Sequence, residues 1–109
     1  MIISDYELAC RVAARNQGLN PIQAALKKEK INFELEQTGG FTMVVTVTLN
    51  DDLYAITRDA GEYIFCRYAA KDWNEGSAEE WTNIPATTTK AVIEFLKGEI
   101  AIRREEGRL

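Results

Sequence analysis

Histidine does not occur in this chain, so any acid–base chemistry would fall to carboxylates, tyrosines or arginines. Arg58, Arg67, Tyr63 and Tyr68 are the polar side chains of the strand-like stretch that can converge on an anionic ligand. Arg58 has a simpler use, pairing across a turn with Glu62, a surface contact worth well under about 1 kcal/mol. Cys10 and Cys66 lie far apart without a Cys-x-x-Cys spacing, and both are expected as buried free thiols. Two isolated cysteines without histidine do not make a structural zinc set, so neither metal nor cofactor is expected. Trp73 and Trp81 fall in the segment 72–85, a connection long enough to be uncommon in a compact domain and often functional. Packed, the two indoles plug the end of a core; exposed, they become candidate binding hot spots. Within the same segment, Ser77 and Glu80 have the spacing to cap a single helical turn.

What must position these residues is a run of four strands, at about 31–37, 41–49, 53–58 and 62–68. Thr38-Gly39-Gly40 supplies a three-residue loop that sets Gln37 opposite Phe41, Leu35 opposite Met43 and Phe33 opposite Val45. A tight turn at Asp51-Asp52 pairs Leu49 with Tyr54 and Val47 with Ile56. Asp59-Ala60-Gly61 closes the third hairpin with its glycine at a bulge, pairing Arg58 with Glu62, Ile56 with Ile64 and Tyr54 with Cys66. This register gathers Leu35, Phe41, Met43, Val45, Val47, Tyr54, Ile56, Ile64, Cys66 and Tyr68 on one face, expected to be the core side. The opposite face is polar at the first strand and increasingly apolar toward the fourth. Val44, Leu53, Ala55, Tyr63 and Phe65 form its centre, with Glu34, Glu36 and Arg67 as a polar rim.

The flanks carry helical periodicity. Ser4 with Glu7 three residues later has the form of a capping box opening a helix over 5–16. Asn20-Pro21 opens a second helix, 21–29, with the asparagine side chain as its cap and lysines near its C-terminus. A third, 88–104, starts in the Thr87-Thr88-Thr89 cluster and presents Val92, Ile93, Leu96 and Ile100 on one side. Gly98 inside it implies either a close contact or early fraying. The expected fold is a single α+β domain: a four-stranded antiparallel meander in order 1-2-3-4 with two N-terminal helices and one C-terminal helix packed on one face.

Composition narrows the function classes. The 109 residues are 46% apolar and 28% charged, ordinary for a globular domain. The amino terminus MIISDYEL carries acids and no long apolar run, which argues against a signal peptide or membrane span and for a cytoplasmic protein. Tyr63, Phe65 and Arg67 alternate as on the sheets that stack RNA bases. Seventeen acids against thirteen bases, net minus four, nevertheless disfavour a polyanion. Three readings follow. The first is a non-catalytic protein-binding module, a homodimer or a complex with another protein, centred on Val44, Leu53, Ala55, Tyr63, Phe65 and Arg67 with Trp73 and Trp81. Size and element order are those of inhibitor or immunity-type proteins of bacteria and mobile elements, an analogy of architecture alone. The second is a small-ligand site or enzyme near 72–85. The third is single-stranded nucleic acid on the open sheet face.

Overall fold

The structure is a computed structural model that describes residues 4–38 and 42–109. Its elements run α1 (Asp5–Asn16), α2 (Asn20–Lys28), β1 (Glu34–Gln37), β2 (Met43–Leu49), β3 (Asp52–Asp59), β4 (Glu62–Ala69), α3 (Ala70–Asn74), β5 (Thr82–Ile84) and α4 (Thr89–Glu105). The protein is α+β, with one antiparallel sheet in the order β1-β2-β3-β4-β5. The fifth strand and the short α3 both come from the segment 72–85 and its approach, where a lone capped turn at Ser77 was expected. Phe41, Gly39 and Gly40, on which the first hairpin loop was read, lie outside the described residues, as do residues 1–3.

Local chemistry accounts for the helix ends. Ser4 Oγ accepts from the Glu7 amide at 3.1 Å, and Thr88 Oγ1 accepts from the Ala91 amide at 3.2 Å, each satisfying an otherwise orphaned donor. Asn20 does not cap α2; Leu19 holds that position without a side-chain bond, and Pro21 alone starts the helix. At the C-terminus of α1, Gly18 takes a positive φ of 78° and the Leu19 amide reaches back to the Ala14 carbonyl. Lys30 makes the same turn after α2 at φ 58°, a conformation that costs a non-glycine residue about 1 kcal/mol.

Strand register differs from expectation in two ways with opposite consequences. In the first two hairpins the pairing slips by two: Leu35 faces Val45, Val47 faces Tyr54 and Val45 faces Ile56. A slip of two preserves parity, so these side chains keep their expected faces. In the third hairpin the loop is the two-residue turn Ala60-Gly61, both at positive φ, and Asp59 faces Glu62. Ile56 therefore opposes Phe65 and Arg58 opposes Tyr63, which turns β4 over. A left-handed Ala60 costs about 1 kcal/mol, while moving Phe65 and Tyr63 out of water contributes about 2 kcal/mol each. Burial wins.

The helix-covered face thus includes Met43, Val45, Val47, Tyr54, Ile56, Tyr63 and Phe65 beneath Leu19, Ile22 and Leu26 of the N-terminal helical region and Val92 and Leu96 of α4. Phe65 is 0% exposed, and its ring meets Phe95 edge-on at 5.5 Å and Tyr54 at 5.9 Å. A buried guanidinium closes the far end of this core. Arg103, 3% exposed, donates to Asp52 Oδ2 and Glu99 Oε2 at 2.7 Å each and to Tyr54 Oη at 3.3 Å. Burial pulls its pKa down, but the bonds to Glu99, Tyr54 and Asp52 outweigh that and leave it raised.

Candidate functional site

Turning β4 over changes what the second face contains. Val44, Leu53 and Ala55 do lie there, but the chain's own α3 covers them: with Ala70 they form a small second core against which Tyr68 and Trp73 pack. Tyr63 and Phe65 are absent from this face and belong to the main core, so the interaction centre assigned to them is corrected. The alternating Tyr63, Phe65, Arg67 platform for stacking bases goes with it. Arg67 is exposed beside Thr82 of β5.

The four polar groups read as convergent are dispersed. Arg58 does not pair with Glu62; its guanidinium donates to the Gly18 carbonyl at 2.9 Å and the Gly61 carbonyl at 3.1 Å and lies 4.9 Å over the Tyr63 ring. Tyr63 shares a 3.0 Å hydrogen bond with Thr89. Tyr68 sits on the opposite face against Trp73.

What the second face offers is an aromatic row beside a cavity. Trp73 is half-buried, its ring 4.9 Å from Tyr68, and its Nε1 donates to Glu36 Oε1 at 3.4 Å. The other oxygen of Glu36 accepts from the buried Thr46 hydroxyl at 2.6 Å, so the carboxylate orients the indole from beneath. Trp81, just before β5, lies 6.3 Å from Tyr68 and is 60% exposed. Ile64, placed outward by the turned register, is 44% exposed. Between Trp73, Tyr68, Ile64, Cys66, Val44 and Ala55 lies a concavity of about 150 Å³, edged by the threonines 38, 42 and 57. Burial raises the Cys66 thiol pKa, and its Sγ is 3.8 Å from Asn83 Oδ1. Burial also raises Tyr68, with a smaller contribution from Cys66.

Cys66 is buried as expected and Cys10 half-buried, and both are free. Among the described residues no group of three or more acidic or cysteine side chains could hold a metal, and no helix is long and apolar enough to cross a membrane. A second, wider groove of about 980 Å³ runs between α1, α2 and β1, with Tyr6, Leu8 and Val12 exposed along it. The Tyr6 pKa is raised, chiefly by its hydrogen bond with Cys10.

Sequence reading missed two contributors. Ile64 was placed inside by the wrong parity. Gln17 gave no signal at all: its side-chain amide accepts from the Met43 amide at 2.6 Å and donates to the Met43 carbonyl at 3.3 Å, standing in for a strand where the β2–β3 ladder ends. Comparison of the chain with protein-family models, curated proteins and solved structures finds no match.

Proposed function

We propose that the protein is a non-catalytic protein-binding module that engages its partner through the second sheet face, with Trp81 and Tyr68 as aromatic anchors and the cavity beside Trp73 as a socket. The observation that carries this reading is the 60% exposure of Trp81 at a ring distance of 6.3 Å from Tyr68, which itself lines the cavity beside the half-buried Trp73. Indoles are enriched among the few residues that dominate interface energies, and a cavity of about 150 Å³ suits one aliphatic or aromatic side chain. An inhibitor or immunity-type protein is one form such a module takes. The homodimer proposed from the sequence loses its centre once Phe65 and Tyr63 are inside, and self-association becomes one outcome among others.

The test is affinity capture from the native host with wild type, Trp81→Ala and Ile64→Lys, each first shown folded by circular dichroism. A partner retained by wild type and lost with both variants is expected. Equal retention by all three would defeat the reading.

A small ligand in the cavity is the second reading, favoured by the mixed lining of the threonine 38, 42 and 57 side chains around an apolar floor. Cys66→Phe fills that space. Thermal shifts caused by an aromatic fragment library in wild type, and abolished in this variant, would support a ligand site over a protein socket.

A further inference from the structure

The segment that carries Trp73 and Trp81 holds an excess of negative charge that enters no ion pair among the described residues, and this selects the chemistry of its partner. Residues 70–81, which run from α3 to the exposed indole, carry Asp72, Glu75, Glu79 and Glu80 against the single base Lys71. That stretch therefore holds minus three of the chain's net minus four. All four carboxylate residues are exposed, and the ion pairs among the described residues lie elsewhere, at Glu29–Lys97, Asp52–Arg103, Glu99–Arg103 and Glu106–Arg108. Asp72 adjoins Trp73 in the chain, and Glu79 and Glu80 immediately precede Trp81.

We infer, building on the reading above, that the partner is a basic protein segment, one that sets an arginine or lysine over the Trp81 and Tyr68 rings and an apolar side chain in the cavity beside Trp73. Indole is the best aromatic acceptor of a cation, and the flanking carboxylates add an attraction that water and salt leave weak singly but additive around a rim. Charge also argues against the other occupants. A second copy docking by the same patch in an isologous pair would oppose minus three with minus three, and a nucleic acid would meet the same repulsion. An apolar partner without cations would leave the rim carboxylates facing a drier surface with nothing to offset the loss of solvent.

The experiment is selection of a displayed random dodecapeptide library on immobilised wild-type protein, with counter-selection on Trp81→Ala. Enriched peptides are expected to carry net positive charge around one aliphatic or aromatic residue. For one of them, raising sodium chloride from about 50 to about 500 mM should weaken binding roughly tenfold. The variant Glu79→Gln/Glu80→Gln, which leaves the rings in place, should weaken the same peptide several-fold. Trp81-dependent peptides that are neutral or acidic, or affinity indifferent to salt, would overturn the basic partner while leaving the docking face standing. Enrichment no better on wild type than on Trp81→Ala would remove both. Sedimentation showing a wild-type dimer that Trp81→Ala dissociates would assign the face to a second copy instead.

Discussion

Phe65 decides which side of β4 is inside, and its substitution measures that directly. Truncation to alanine should cost about 3–5 kcal/mol, because the ring is enclosed by Tyr54 and Phe95 and the hole it leaves cannot collapse under α4. Phe65→Glu should fail to fold, where an exposed docking residue would have given a folded variant; urea denaturation followed by circular dichroism separates the two. Cys66 and Tyr68 make a pH prediction. Burial raises both pKa values in the folded chain, so the folded state holds protons that the unfolded chain releases. Stability from this source is fully present below the ordinary thiol pKa and declines as the pH climbs past about 9. Urea midpoints measured through the alkaline range should fall, and Cys66→Ala should fall less steeply than wild type.

At the scale of elements, α4 runs without interruption from Thr89 to Glu105 through Gly98, where an added Cβ would meet nothing within 4 Å. Neither the close contact nor the early fray expected there is present, so Gly98→Ala should raise stability by about 1 kcal/mol, readable as a higher melting temperature. Helices were legible because their ends carry side-chain chemistry: the Ser4 cap, the threonines before α4, the glycine after α1. The faces of β2 and β3 were legible for a different reason, since an error of two in register costs nothing in parity. β4 was not. Both of its rows are apolar, Tyr63 and Phe65 on one and Ile64, Cys66 and Tyr68 on the other, so alternation alone could not choose between them. The glycine at a bulge position pointed to the three-residue loop, and aromatic burial favoured the two-residue turn instead, at the cost of a left-handed Ala60. β5, three residues long, and α3, five, are too short for any period to show. Trp73 and Trp81 stand out in the sequence by their place in the long connection, but only coordinates distinguish the half-buried indole from the exposed one.

For the whole molecule, Arg103 joins the end of α4 to the start of β3 through Asp52 and to the core through Tyr54. Arg103→Ala removes these bonds together. The loss should be about 2–4 kcal/mol, less than for a fully buried pair because Asp52 and Glu99 keep some contact with solvent. Thermal unfolding of this variant, compared with a conservative Arg104→Ala on the neighbouring exposed position, checks it. The strand order β1 through β5 carries a consequence for biosynthesis. Every strand zips onto the one made just before it, so the ribosome delivers the sheet in folding order with little entropy lost to long loops. The lid over Tyr54 and Phe65, however, leaves the exit tunnel only after all five strands. Until α4 emerges, the sheet waits at the ribosome with a bare greasy flank, and nascent chains that have released β5 but not α4 are the species that chaperones should be found holding.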